Sequence, residues 1–179
     1  MRLVNVLTGT GLALALGFCA TGAWTYAQAR SDDALAYGRA RDAALDDGRH
    51  ALAVLNTLDA SSQKRAEVGV RAWRTVSTGP LRDELGSTRP RTGPSARGAV
   101  TDAAVTALDT RAGTAKLIAT VRVDVTPVGS RTAAPERKRL EAVLARDEDG
   151  QWRVRALSAV PQADGGTGAS PSPSKGATS

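Results

Sequence analysis

The chain has 179 residues, enough for one domain with appendages and too few for two ordinary ones. Its 24 Lys and Arg against 18 Asp and Glu leave a net charge of +6, a mild excess made almost entirely of Arg, as in GC-rich coding, and no strong nucleic-acid footprint. One Cys and one His exclude a disulfide framework and any Cys/His zinc site within the chain, no cofactor motif is present, and 3% aromatics leave Ala, Val and Leu to fill a core.

Leu3 to Ala29 carries no charge between Arg2 and Arg30. At about 1.5 Å rise per residue, Val4 to Ala23 alone cross the roughly 30 Å hydrocarbon layer as a helix, the conformation that satisfies its own amides there. The sequence therefore predicts a transmembrane anchor over residues 1–29. Trp24 and Tyr26 fall at the far interface, the depth that amphipathic rings favour, and serve as candidate interface anchors. Gly9, Ala13, Gly17 and Thr21 recur every fourth residue and form a candidate membrane helix-packing face. The competing reading is a cleaved secretion signal ending at Ala27-Gln28-Ala29. Both readings place the following domain outside the cytoplasm, in the anchored case as a single-pass protein of the cell membrane.

From Ser31 to Asp59 the pattern is helical: Ser31 can cap, Asp32 and Asp33 suit the positive first turn, and Leu45, Leu52, Leu55 and Leu58 recur at helical spacing. Gly38 and Gly48 each cost this helix about 1 kcal/mol relative to Ala, so packing has to hold it, and a break there is open. His50 reads as a solvated surface residue, there being no second His or Cys to build a site with it. A second helix is expected over about Ser62 to Val76, its buried stripe being Val68, Ala72 and Val76, with Trp73 beside it. A short third helix starts at Thr78-Gly79-Pro80 and ends at Gly86.

Ser87 to Gly98 reads as an exposed loop. After it the period changes to two. Ala99 to Leu108 forms a strand, and the turn 109–113 leads into a strict alternation of Ala115, Leu117, Ala119, Val121, Val123 and Val125 against Lys116, Ile118, Thr120, Arg122, Asp124 and Thr126. Arg137 to Arg146 alternates around Leu140, Ala142 and Leu144. Asp149-Gly150 marks a hairpin, and a last strand sets Trp152, Val154 and Ala156 on one side, ending at Pro161. Helices first and strands afterwards predict an α+β domain over residues 30–161, about three helices packed on a curved antiparallel sheet of about four strands. Trp73 and Trp152 are the candidate pocket-lining residues. Residues 162–179 are Gly, Ser, Thr, Pro and Ala with little else, and read as a disordered tail.

An amino-terminal membrane helix, then Arg41-Asp42-Ala43-Ala44, Ala53-Val54-Leu55-Asn56-Thr57-Leu58, Ser77-Thr78-Gly79-Pro80-Leu81, Gly150-Gln151-Trp152-Arg153-Val154 and a close at Val160-Pro161, together resemble actinobacterial Mce-associated membrane proteins. The resemblance covers roughly residues 1 to 161, without the loop 87–98 or the tail. It implies an NTF2-like cone outside the membrane and a non-enzymatic accessory of a lipid-importing envelope transporter. No catalytic residues come with it.

Two other functions stand beside this reading. An NTF2-like cone can bind a small lipid or sterol, and related folds isomerise ketosteroids with an acidic base and a Tyr or acid donor in an apolar pocket. Here the candidates reduce to Tyr37 and Asp124, and Asp124 shares its strand face with Lys116 and Arg122, which points it to water. Direct binding of anionic lipid by Arg30, Arg39, Arg41 and Arg49 is opposed by the interleaved Asp32, Asp33 and Asp42. The expected partners are the membrane and other envelope or transporter proteins, with a lipid as the small-molecule alternative and no nucleic acid.

Overall fold

Ala44, Gly48, Ala51, Leu52 and Leu55 recur at the spacing of one helix face, and this face seats helix α1 on a sheet. The computed structural model describes residues 32–160, within which α1 occupies 32–55. The expected membrane span with Gly9, Ala13, Gly17 and Thr21, the anchors Trp24 and Tyr26, the Ser31 cap, the closing Pro161 and the tail 162–179 lie outside the described residues. Among the described residues no helix is long and apolar enough to cross a membrane.

α1 runs through Gly38 and Gly48 without a break. Gly48 has a packing reason: a Cβ there would stand 3.1 Å from the Cδ1 atoms of both Leu117 and Leu144, so the missing side chain lets the helix approach the sheet. The helix ends before Leu58, earlier than its leucine spacing suggests. Three of its last carbonyls are engaged, as a helix end near the interior requires. The Asn56 amide donates to Leu52 O at 2.8 Å, Thr57 Oγ1 donates to Ala53 O at 2.8 Å, and Trp73 Nε1 donates to Val54 O at 2.9 Å. Leu58 then leaves the helix and pairs with Ala96 as a short antiparallel bridge.

Helix α2 spans Gln63–Thr75, with the Ser62 hydroxyl accepting the Arg65 N–H. Its buried residues are Ala66 and Val70. The predicted stripe holds at Val76, which packs against the core, and is corrected at Val68, which is 51% exposed. Ala, Val and Gly differ too little in hydrophobicity for their spacing alone to fix which side of this helix turns inward. Helix α3 spans Gly79–Ser87, one residue past Gly86, which lies inside it. Gly79 opens it at φ +54°, a conformation that glycine adopts without strain.

Four strands follow, β1 (Ser95–Asp109), β2 (Thr114–Thr126), β3 (Ala134–Arg146) and β4 (Trp152–Ala159), paired antiparallel in the order β1-β2-β3-β4. The result is three helices and a four-stranded antiparallel meander, the expected α+β arrangement. The alternation in β2 holds: Ala115, Leu117, Ala119, Val121 and Val123 are buried against α1, as are Leu140, Ala142 and Leu144 of β3. Each such Leu or Val contributes about 1.5–3 kcal/mol by leaving water.

Two expectations about the strands are corrected. Residues 95–98, read as loop, begin β1, because they pair with Val123 to Thr126 of β2 and the chain after α1 adds contacts on the other side: Ala96 bridges Leu58, and Ser95 Oγ accepts the Ala60 N–H. In β4 the pairing slips between Val143↔Ala156 and Leu144↔Val154, leaving Arg155 as an extra residue. The bulge reverses the faces, so Ala156 is exposed and Leu157 packs on the core in its place.

The edges of the sheet are managed separately. β4 is covered where residues 76–78 run parallel to it, with Thr78 N donating to Val154 O at 2.9 Å and Val154 N to Val76 O at 3.0 Å. β1 carries two register shifts, at Thr101 and Thr106, each placing an unpaired residue in the strand. Irregularities of this kind twist an edge and discourage a second chain from pairing with it.

Candidate functional site

The space between α1 and the sheet is filled. Leu52, Leu117, Val121, Leu144 and Val154 are fully buried and Trp152 is 3% exposed. Trp152 is therefore a core residue, and its backbone N–H donates to Asp47 Oδ2 at 2.9 Å, which fixes the start of β4 to α1. Trp73 is half-buried. Its indole N–H is shared between Val54 O at 2.9 Å and Thr57 O at 2.8 Å, so it acts as a strut from α2 to the end of α1. The two candidate pocket residues thus serve different contacts and share no cavity wall.

Open space lies instead on the other side of α1. Where its carboxyl-terminal half meets α2, a groove of about 620 Å³ is lined by Ala53, Val54, Val68, Gly69 and Ala72. Small residues make it. A Cβ on Gly69 would stand 2.5 Å from Leu58 Cδ1, so α2 lies against the chain that leaves α1. The walls are apolar and the rim is polar, with His50 at one end and Asp59 and Arg65 at the other. Hydrogen bonds from the Ser61 hydroxyl and Ser61 N–H, aided by Arg65 at 3.2 Å, hold the Asp59 carboxyl below its usual range. Asp59 therefore stays ionised as a rim charge.

His50 also borders a second, more polar cleft of about 340 Å³ with Asp47, Gln151, Trp152 and Arg153. Arg153 Nε lies 2.8 Å from Asp147 Oδ2 as an ion pair, without the alignment of a hydrogen bond. His50 is exposed, as the sequence suggested, and stands on the ridge of α1 between groove and cleft. Tyr37 is 47% exposed near the start of the described helix, and Asp124 pairs with Arg122 at 3.0 Å on the outer sheet face. The two do not converge on a pocket. Among the described residues no three His, Cys, Asp or Glu side chains group as metal ligands.

Sequence reasoning missed the groove because it assigned Val68 and Ala72 to the core. The signal was Gly69 between them: a glycine inside an exposed-looking helix marks a close approach.

No family model and no curated protein matches the sequence. Among solved structures, the chain is similar to an "Ntf2 like protein involved in plasmid conjugation" at 13% identity and a TM-score of 0.41, covering 70% of this chain and 49% of that one. It is also similar to a "TraE protein in complex with 2-(2-furyl)isonicotinic acid" at 14% identity and a TM-score of 0.43, covering 63% of this chain and 90% of that one. The chain thus spans about half the length of the first. Likeness at this level leaves the reading of the chain to its own geometry.

Proposed function

We propose that the chain is a membrane-anchored, non-enzymatic interaction protein of the cell envelope, an NTF2-like cone held outside the cytoplasm by its amino-terminal helix. In this reading it supports a larger assembly, such as an Mce-type lipid importer. The observation that carries it is the groove: the space between α1 and the sheet is filled by packed side chains, while an open apolar trough with a charged rim lies on the surface, the geometry that accepts the apolar face of a partner helix. Order along the chain agrees with the cone, since α1 comes before the strands and packs on the sheet.

Affinity purification from mild detergent tests the assembly, with the expected result that envelope proteins return with the bait. Carbonate extraction together with the mass of the mature amino terminus tests the anchor. A protein clipped after Ala29 and released from the membrane would defeat that part. The size of the groove also suits a small apolar ligand. Native mass spectrometry that finds a bound lipid or sterol, with only the bait recovered, would favour this second reading.

A further inference from the structure

The outer face of the sheet, which no helix among the described residues covers, holds a basic cluster that the groove does not use. By strand register Arg122 stands directly opposite Arg137, and Arg139 stands opposite Thr120, one step along the same face. Arg97 joins the cluster from β1, opposite Asp124. Facing residues on one side of an antiparallel pair lie about 5 Å apart at Cβ and diagonal ones about 7–8 Å, so Arg122, Arg137 and Arg139 form a triangle that one multivalent anion can span. The acidic groups on this face are Asp124, paired with Arg122, Asp102, across Thr120 from Arg139, and Glu141, two residues beyond Arg139 on β3 and opposite Ile118. Among the described residues Arg97, Arg137 and Arg139 form no ion pair. Beside the triangle is a hollow of about 300 Å³ bounded by Arg139, Asp102, Thr120, Ile118 and Ala104.

Like charges directly opposite across a strand pair are destabilising, and here nothing acidic separates Arg122 from Arg137. We propose that Arg122, Arg137 and Arg139 form a binding site for a phosphate-bearing anion, with the guanidinium forks as donors and the hollow beside them receiving the group that carries the phosphate. Arginine suits this task because its planar fork matches two phosphate oxygens at once. The site lies toward the end of the sheet where α1 finishes, as the Leu58 to Ala96 bridge shows, and away from residue 32. A phosphate on a soluble molecule is thus the expected source, and a lipid headgroup the other.

Titration of the full chain in neutral detergent with pyrophosphate, read by calorimetry and by thermal melting, tests the site. Pyrophosphate is expected to bind and to raise the melting temperature. The variant Arg137→Gln/Arg139→Gln is expected to bind at least about tenfold more weakly. Arg89→Gln/Arg91→Gln, which removes the same charge from the loop before β1, should bind within about twofold of the wild type. Melting without pyrophosphate gives an independent readout, because removing Arg137 relieves the facing pair and should leave the fold as stable or more so. Flotation with phosphatidylcholine vesicles, with and without phosphatidylglycerol, separates the two sources: capture that pyrophosphate displaces assigns a headgroup, and pyrophosphate binding without capture assigns a soluble phosphate. Absence of both kinds of binding, or equal weakening in the two double variants, overturns the proposal.

Discussion

Trp73 holds two carbonyls with one N–H, and both belong to the segment where α1 ends. Trp73→Phe keeps most of the ring's contact area but leaves Val54 O and Thr57 O without that donor, and the expected loss is about 1–2 kcal/mol in urea unfolding. Glycine positions separate by what surrounds them. Gly38 has nothing within 4 Å of an added Cβ, so Gly38→Ala should stabilise the fold by about 0.5–1 kcal/mol through helix propensity alone. At Gly98 a Cβ would stand 2.5 Å from Asn56 Cβ and 3.0 Å from Asn56 O. Backbone cannot swing aside, so Gly98→Ala should destabilise by about 1–3 kcal/mol, measured in the same titrations. Asp59 adds a pH dependence. Its carboxyl is held below the ordinary value mainly by Ser61, so the folded chain binds this proton less tightly than the unfolded chain does. Its stabilising contribution is complete above the unfolded pKa and is lost as pH falls through the lower folded one. The stability gap between wild type and Asp59→Asn should therefore be widest near neutral pH and close in acid, and a gap that does not change with pH would remove this role from Asp59.

Strand β1 shows how an element can hide its own period. Its two register shifts set Thr101 and Thr106 out of the alternation, and each hydroxyl reaches back to β2, Thr101 Oγ1 to Thr120 O at 3.1 Å and Thr106 Oγ1 to Lys116 O at 3.4 Å. The shorter bond should matter more: Thr101→Val is expected to cost about 0.5–1.5 kcal/mol and Thr106→Val less, by thermal unfolding. β2 and the buried half of β3 were legible because they pair with each other without a register shift, which keeps one face of each in the core. The start of β1 was not, since residues 95–98 are strand through their pairing with Val123 to Thr126 of β2 and the bridge of Ala96 to Leu58, both far away in sequence. The reversal at Arg155 was hidden for the same reason: a bulge is a property of two strands in register, and Ala156 alternates properly with Val154 until Val143 is known to face it. Helix α2 failed differently. Its Ala, Val and Gly positions leave two faces of nearly equal apolarity, and both are used, Ala66 and Val70 inward and Val68 and Ala72 along the groove.

At the scale of the whole molecule, α1 has two occupied sides. One is closed onto the sheet through Ala44, Gly48, Ala51 and Leu52, and the other meets α2 only in part, leaving the trough between them. This division separates stability from association, because a side chain that points into the trough takes little part in the core. Val68 is the best probe, being 51% exposed while it lines the groove. Val68→Arg places a charge where an apolar partner face would sit, and surface substitutions of this kind stay within about 0.5 kcal/mol in folding stability. If the trough is the docking surface, the variant should fold with an unchanged melting temperature yet lose the envelope proteins that return with the wild type in mild detergent. Leu117→Ala supplies the opposite control: the residue is fully buried, so it should lose about 2–5 kcal/mol, and any loss of partners should follow the loss of fold. Retention of all partners by folded Val68→Arg would move the interaction to another face of the domain, leaving α1 as a support that connects the sheet to the chain before residue 32.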